Sequence, residues 1–600
     1  MATFTWNSTY ASLPRTVRGQ PVIISGDPKG ENFLYCNGSN VYIRNIENTA
    51  VCDVYHEHAK ETYVAKYSPS RFYIASGDKE GKVRVWDTVK AEHLLKAEHM
   101  ALSGAVKDLD WTMDSQKLIA VGEGRERYLK AFTFDSGNSV GDMIGHSKFI
   151  NSVAIKQSRP MRAVTGSEDF STVFFEGPPF KFKCTKTDHT NFVNCVRYSP
   201  DGSSFISGGS DGKLHMYDGT TSDYIAEIGE PKAHAGGIYA ISFSPDSKQL
   251  LSVSGDKTAK IWDLESRVVQ TEFVLGKQVV DDMQLGCLWQ GNNIITISKT
   301  GFINFLDPAN PSQPKKIVKG HNKSITSLAV TNDGCGFFTG GSDGLIISWD
   351  AKTSDCDDFK GKGHANQVSD MVLDGDRLIT VSMDDTIRFN SIKSLEYGND
   401  CTKLDSQPRG LDSKNGVTVV ACLNHLIVLD GSGQKVSILP INFEALSVSI
   451  SPSGTEVAVG SNTELHIFSL SNKTLSETKT QPTNEVTAVE YSPDGAYLAF
   501  ASRNKIHIYN ITDWKDEVGQ WGGQHAGKVT CLKWSPNSQR LITASLDSFI
   551  ILWELGKLVG HKPNVKAHPM SHVNKIGWLD NNTILTAGQD CNVKIWTVSE

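Results

Sequence analysis

A repeat constrains this chain more than any other feature of its sequence. The repeat consists of a turn, a strand of alternating polarity and a Trp-Asp dipeptide or a degenerate form of it. It recurs roughly every 43 residues, which gives about 14 copies in 600 residues. The clearest copies end at residues 83–87, 260–263, 346–350 and 593–596. This period and dipeptide are typical of a four-stranded propeller blade. Because one blade cannot bury both faces of its sheet, the copies must stack in a ring.

The sixth copy illustrates the strands of one blade. Residues 238–243 alternate with period 2 and predict an inner strand, and residues 249–253 and 259–263 predict the second and third strands. Turn residues separate them. The more polar stretch at 268–273 is the expected outer strand.

The number of copies predicts two rings. Propellers commonly hold about 4–8 blades, so 14 copies favour an all-β fold of two tandem seven-bladed WD-repeat β-propellers, at residues 11–320 and 321–600. The chain ends on the third strand of its last blade, and no residues remain for the fourth. We expect the strand within residues 1–10 to supply it, which closes the second ring and removes an exposed edge.

Composition excludes several classes of protein. The net charge of -7 argues against a general nucleic-acid binder, which would be basic. No run of 18 apolar residues predicts a membrane span, and the N-terminus has no secretory signal. The 11 cysteines are scattered without a CxxC pair, as expected for reduced thiols in the cytoplasm. No metal or cofactor is predicted.

Four residue types keep a fixed spacing in several copies, and they resemble the structural hydrogen-bond tetrad of WD-repeat propellers. Buried His, hydroxyl and Trp groups each need a partner. The predicted tetrads are His234, Ser252, Asp256 and Trp262; His321, Thr339, Asp343 and Trp349; and His525, Thr543, Asp547 and Trp553. The last copy offers Thr586, Asp590 and Trp596, with His568 as the fourth member.

The same residue types could form a hydrolase triad. A catalytic triad occurs once, whereas this set recurs, so we predict a structural role and no enzyme activity. No phosphate loop or HExxH motif occurs. The inner strands at 240–242 and 327–329 carry only small or aliphatic side chains and no charged ones, which disfavours a catalytic site in a propeller channel.

Several specific stretches resemble the actin-interacting protein 1 family, also called WD-repeat protein 1. They are residues 12–16 with 18–19, residues 121–127, residues 175–183 and residues 301–305. The resemblance spans the whole chain. It implies two seven-bladed propellers that bind filamentous actin and cofilin (actin-depolymerising factor) and enhance severing and disassembly of cofilin-decorated filaments.

A candidate binding face lies on blades 3–5. The turn between the second and third strands and the loop before the inner strand share one rim of a blade. Arginine and aromatic anchors within a charged rim suit partner binding. The candidate actin- and cofilin-binding residues are Arg125, Glu126, Arg127, Glu168, Asp169, Phe180, Lys181, Phe182, Lys183 and Phe192.

Two of these assignments have a structural alternative. Asp169 occupies a tetrad position together with His146 and Thr165. Phe180 and Phe182 alternate along a strand, which leaves open which of them faces the core. For the whole chain, the alternative function is a tandem-propeller scaffold for another multiprotein assembly. We expect a monomer at the actin cytoskeleton, without nucleic-acid or membrane partners.

Overall fold

Strands make up nearly all of the regular structure. The computed structural model describes residues 3–90, 92–277, 279–398, 401–518, 525–557 and 563–599, where the only helix is a 3-10 turn at Val280–Asp282. No helix in these ranges has the length and apolarity needed to cross a membrane. The chain divides into a first unit, Leu13–Asn322, and a second unit, Lys323–Glu600 with Met1–Ser12. Of the predicted second domain, residues 1, 2, 399, 400, 519–524, 558–562 and 600 lie outside the described residues.

The described part of the first unit contains seven sheets, numbered here by the chain order of their inner strands and given from the inner strand outwards. Sheet 1 contains Ser25–Gly26, Asn32–Asn37, Asn40–Asn45 and Cys52–Tyr55; sheet 2 contains Thr62–Tyr67, Tyr73–Asp78, Lys82–Asp87 and Leu95–Met100. Sheet 3 contains Val106–Trp111, Lys117–Gly122 and Leu129–Thr133; sheet 4 contains Ile150–Ile155, Arg162–Ser167, Thr172–Glu176, Phe180–Lys186 and the short Gly141–Asp142. Sheet 5 contains Val193–Tyr198, Ser204–Gly209, Leu214–Asp218 and Tyr224–Ile228. Sheet 6 contains Ile238–Phe243, Gln249–Ser254, Thr258–Asp263 and Val269–Val274; sheet 7 contains Gln284–Gln290, Asn293–Ser298, Ile303–Leu306 and Lys316–Val318.

The described part of the second unit contains seven further sheets, each of four strands. Sheet 8 contains Ile325–Val330, Gly336–Gly341, Ile346–Asp350 and Cys356–Asp358; sheet 9 contains Val368–Asp374, Arg377–Ser382, Thr386–Ser391 and Cys401–Lys403. Sheet 10 contains Pro408–Lys414, Val417–Cys422, His425–Leu429 and Lys435–Pro440; sheet 11 contains Ala445–Ile450, Glu456–Ser461, Glu464–Ser471 and Thr474–Pro482. Sheet 12 contains Val486–Tyr491, Tyr497–Ser502, Lys505–Asn510 and Lys515–Asp516; sheet 13 contains Val529–Trp534, Arg540–Ser545, Phe549–Glu554 and Asn564–Lys566. Sheet 14 contains Val573–Trp578, Thr583–Gly588, Val593–Ser599 and Thr3–Tyr10.

The core of each unit lies between neighbouring sheets. Within a unit, each inner strand contacts the inner strand of the next sheet, and the last contacts the first. The second strands, such as Lys117–Gly122, are buried on both faces because a sheet covers each side. Between sheets 2 and 3, for example, Val64 and Val85 pack with Leu109 and Leu118. Sheets that bury both faces in this way depend on their neighbours for stability.

Sheet 3 departs from the predicted four strands, and the departure shapes the candidate face. The segment after Leu129–Thr133 pairs with sheet 4 instead, where Gly141–Asp142 runs parallel to Phe180 and Lys181. Gly141 has φ +138, and a Cβ there would lie 2.2 Å from the Phe180 carbonyl oxygen. A glycine is therefore required for this approach.

The predicted pairing of the N-terminal segment with the last sheet is confirmed. Thr3–Tyr10 runs antiparallel to Val593–Ser599, with Trp6 opposite Trp596 and a register shift after Trp6. Tyr10 is only 5% exposed and packs among buried side chains of sheets 8 and 14. The strand thus covers an edge that would otherwise be open.

Candidate protein-binding face

A chain of hydrogen bonds links four side chains in sheet 6. His234 Nε2 lies 2.7 Å from Ser252 Oγ, and His234 Nδ1 lies 2.9 Å from Asp256 Oδ2. Trp262 Nε1 donates to the same Ser252 hydroxyl at 2.8 Å. Ser252 is fully buried. The arrangement gives buried polar groups their partners and presents no nucleophile to a substrate.

Related contacts recur in other sheets. In sheet 8, Trp349 Nε1 donates to Thr339 Oγ1 at 2.7 Å. Of the other two predicted members, His321 belongs to the first unit and Asp343 to the second. In sheet 13, the Thr543 hydroxyl accepts from the Trp553 indole and contacts His525 Nε2. In sheet 14, the Thr586 hydroxyl makes the same two contacts, with Trp596 and His568.

Two further tetrads were missed in the sequence because each departs from the spacing. In sheet 2, Ser76 Oγ contacts His58 Nε2 at 2.7 Å and accepts from Trp86 at 3.0 Å, but the carboxylate is Asp78, two residues early. In sheet 9, an asparagine takes the place of Trp. Its members are His364, Thr380, Asp384 and Asn390.

The tetrad carboxylates are held in their charged form. Burial raises the pKa of Asp547, but the His525 hydrogen bond and backbone amides outweigh it and lower the pKa to about 2. Burial likewise raises the pKa of Asp590, and the nearby His568 lowers it to about 2. These groups stabilise turns rather than act as acids near neutral pH.

Other inner strands, unlike the segments at 240–242 and 327–329 considered in the sequence, carry charged side chains. In the first unit, Asp108 lies 3.0 Å from Lys66 Nζ and accepts from Arg197 at 3.3 Å. In the second unit, Lys575 Nζ lies 2.8 Å from Asp370. Asp108 is fully buried and the other four groups are partly buried, and such charges are tolerated because they pair with each other.

The turn of sheet 3 presents three exposed charged side chains. Arg125, Glu126 and Arg127 are all exposed, and the Arg125 amide donates to Ser103 Oγ at 3.0 Å. Arg127 lies 3.9 Å from Asp142, with both side chains at least 75% exposed. A surface ion pair this exposed contributes little to stability. These side chains are therefore available to a partner.

Glu168 is engaged at the junction of sheets 3 and 4. Lys107 Nζ lies 3.0 Å from Glu168 Oε1 and 3.6 Å from Glu123 Oε1. The same ammonium group lies 5.4 Å from the centre of the Phe149 ring. Glu168 thus orients a lysine that stands over an exposed aromatic ring.

Asp169 belongs to the tetrad of sheet 4. Its carboxylate contacts His146 Nδ1 at 2.9 Å and accepts from the Ser147 amide at 2.9 Å and the Ser171 hydroxyl at 2.6 Å. Burial raises its pKa, but the hydrogen bonds from His146 and Ser171 lower it well below its usual range. The residue holds two loops together beneath the face.

Four aromatic side chains form the surface of this rim. Phe170 and Phe192 lie 5.7 Å apart, and Tyr128 and Phe149 lie 5.8 Å apart. The three phenylalanines are 38%, 39% and 40% exposed. Lys148 Nζ lies 5.5 Å from the Phe170 ring centre. We define the aromatic face as Tyr128, Phe149, Phe170 and Phe192 with Lys107 and Lys148.

Sequence reasoning selected only part of the aromatic face. Phe192 was a candidate, whereas Phe149 was not, although each directly precedes an inner strand. If the sequences before the inner strands of sheets 4 and 5 are aligned at the start of each strand, Phe149 falls at the position of Phe192. Phe170 follows the candidate Asp169 in a turn and has φ +70.

The outer strand of sheet 4 contributes one aromatic side chain rather than two. Phe180 is fully buried among the core residues of sheets 3 and 4, so it is removed from the candidate face. Phe182 is 45% exposed, and Lys181 and Lys183 are exposed beside it. We define the outer-strand patch as Lys181, Phe182 and Lys183.

The residues brought together here suit protein recognition more than chemistry. Exposed aromatic rings with cations above them are typical of interface anchors. Within the described ranges, no group of three or more His, Cys, Asp or Glu side chains is placed to hold a metal ion.

Comparisons with known proteins agree with this architecture. Residues 51–87, 181–218, 226–263, 312–350, 473–510, 518–554 and 557–597 match the WD domain, G-beta repeat family. The chain is 46% identical to actin-interacting protein 1 of Drosophila melanogaster over 98% of its own length and 97% of that protein.

Two vertebrate relatives match equally far. The chain is 46% identical to WD repeat-containing protein 1 of Gallus gallus and 47% identical to that of Xenopus tropicalis, in each case over 98% of both chains. The family membership expected from the sequence is confirmed by identity at this level over nearly the full length. The chain belongs to the actin-interacting protein 1 family, whose members are also named WD repeat-containing protein 1.

Proposed function

We propose that this protein binds actin filaments and, together with cofilin (actin-depolymerising factor), promotes their severing and disassembly. The aromatic face is the observation that carries the proposal, because exposed phenylalanines beside lysines are typical of interface anchors. A relative that matches nearly the whole chain is named for its interaction with actin.

We also infer that each unit is a seven-bladed propeller, with domains at residues 11–320 and 321–600 and the strand within residues 1–10 closing the second. Seven sheets in each described unit, whose inner strands contact one another in succession from first to last, support this arrangement. A closed ring leaves few exposed edges and gives a rigid rim. A rigid rim keeps the side chains of the face in place before binding.

The aromatic face and the outer-strand patch are neighbouring surfaces of the first unit. Asp142 lies between them, because it is 3.9 Å from Arg127, the residue before Tyr128, and pairs with Lys181 in the sheet. Two neighbouring contact regions suit the binding of two adjoining proteins. We therefore expect weak action on bare actin and strong action on filaments that already carry cofilin.

We propose further that the protein acts by binding and is not an enzyme, that it is a monomer, and that it lies in the cytoplasm at the actin cytoskeleton. The scaffold alternative differs in one measurable respect: a scaffold for another assembly has no affinity for actin filaments.

Co-sedimentation with actin filaments, with and without cofilin, tests the proposal. Phe170→Ala and Phe192→Ala should each weaken binding to cofilin-bound filaments about thirtyfold, since truncating an interface anchor costs about 2 kcal/mol. Phe72→Ala is the matched control, because Phe72 is 60% exposed but follows the turn between the first and second strands of sheet 2, at the opposite end. Wild-type binding by both folded face variants would refute the proposed face.

A further inference from the structure

A cavity opens beside the aromatic face of the first unit. Its volume is about 310 Å³, and Phe192 and Glu168 are among the residues that line it. Arg15 and residues 17–23 line it as well. Cavities of about 300 Å³ or more are large enough to take part of a ligand.

Residues 15–22 form a strap that is anchored at both ends. The Arg15 amide donates to the Cys36 carbonyl at 3.0 Å, and the Val22 amide donates to the Leu285 carbonyl at 2.8 Å. Between these anchors, Gly19 has φ +83 and nothing within 4 Å of the position of a Cβ. The strap is thus a loop held at both ends beside the cavity, with free space around Gly19.

The charges around the cavity are paired with one exception. Lys107 contacts Glu168 at 3.0 Å, and Arg15 lies 3.6 Å from Glu61 and 4.8 Å from the centre of the Tyr63 ring. Arg18 is exposed, and no carboxylate of the described residues lies within 4.0 Å of it. One cation at the mouth therefore lacks a counter-charge.

We propose that this cavity binds a short acidic peptide segment of the filament partner. A carboxylate of the segment pairs with Arg18, whose planar guanidinium suits bidentate binding of carboxylates. A neighbouring apolar side chain of the segment packs against Phe192 and Tyr63, which line the cavity. The proposal rests on the proposed function, since it names the contact that the partner makes beside the aromatic face.

A direct binding measurement tests the cavity without a filament. The probe is a fluorescent, acetylated peptide of alternating aspartate and phenylalanine, and its match has asparagine in place of aspartate. We expect the full-length protein to bind the acidic peptide, and Arg18→Ala to weaken that binding about tenfold while Arg18→Lys recovers part of it. Arg409→Ala, which removes an exposed arginine of the second unit, is the control and should bind as wild type.

Two outcomes overturn the proposal: equal binding of the two peptides by the wild type, or wild-type affinity in Arg18→Ala. Because Arg18 is exposed, its variants should keep the wild-type melting temperature. The filament assay separates this proposal from the proposed function. If Phe170→Ala weakens filament binding but Arg18→Ala does not change peptide binding, only the acidic-peptide site fails. If Phe170→Ala and Phe192→Ala leave filament binding intact, the proposed face is wrong, and the acidic-peptide site that rests on it is wrong as well.

Discussion

Replacing Tyr10 by alanine tests the role of the N-terminal strand in the second unit. The Tyr10 ring lies 5.3 Å from Phe337 and 5.2 Å from Trp349, edge-on to both. Its hydroxyl donates to the Ala351 carbonyl at 3.1 Å. The side chain thus connects the last sheet to sheet 8.

The expected loss of stability follows from these contacts. Truncating a buried aromatic side chain to alanine costs about 3–5 kcal/mol, which includes the loss of the edge-on ring pairs. We expect about 4 kcal/mol for Tyr10→Ala, because the ring is only 5% exposed. For a domain of this size about 1 kcal/mol shifts the melting temperature by roughly 2–4 °C, so the second unit should melt about 10 °C lower.

Scanning calorimetry of the full chain measures this shift, and hydrogen exchange of the Val593–Ser599 amides identifies the unit involved. Trp6→Ala is the matched control, because Trp6 lies on the same strand but is 55% exposed. It should change stability by less than about 1 kcal/mol. If Tyr10→Ala melts and exchanges like Trp6→Ala, the strand does not stabilise the second unit as argued.

Three further predictions concern the tetrads. Thr543→Ala should lower the free energy of unfolding in urea by about 2–4 kcal/mol, because His525 and Trp553 in sheet 13 both lose a buried partner. Thr543→Ser should retain most of the stability, and an equal loss in both variants would contradict this. The pKa of Asp590 is lowered to about 2, so its contribution of about 2 kcal/mol to the free energy of unfolding should be present above about pH 4 and lost as the pH falls towards 2. A difference in stability between the wild type and Asp590→Asn that stays constant over this pH range would contradict the prediction. Asp169→Asn should weaken co-sedimentation with cofilin-bound filaments roughly tenfold by loosening the loops that carry the aromatic face, and unchanged binding would show that these loops hold their positions without the carboxylate.

The sequence predicted the strands well because local patterns determine them. The period-2 alternation and the turn residues are readable within one copy, and the pairing of Thr3–Tyr10 followed from a missing fourth strand. The tetrads of fixed spacing were found in the same way. The tetrad of His58 was missed because its carboxylate is Asp78, whereas the regular position holds Glu80.

The candidate face was harder to predict because burial depends on what the neighbouring sheet covers. Phe180 and Phe182 lie two residues apart on one strand, yet Phe180 packs in the core between sheets 3 and 4 and Phe182 is 45% exposed. Alternation alone gives both residues the same face and cannot separate them. The charged inner-strand positions were missed for a different reason, since their partners come from neighbouring copies, as with Lys66 and Asp108.

The structural and functional interpretations of Asp169 are compatible, because the tetrad carboxylate fixes the loop that precedes the inner strand of its sheet. In sheet 4, Asp169 accepts the Ser147 amide at 2.9 Å, and Phe149 follows two residues later. In sheet 5, Asp211 accepts the Thr190 amide at 2.9 Å, and Phe192 follows two residues later.

The same hydrogen bond occurs where the loop carries no aromatic side chain. Asp256 accepts the Ala235 amide at 3.0 Å, and the residue two positions later is Gly237. Because the carboxylate sets the backbone in all three sheets, the residue at this one position can vary without loss of the fold. Phe149 and Phe192 of the aromatic face are thus placed on a loop geometry that the repeat already provides, which is why they lie at equivalent positions on neighbouring sheets.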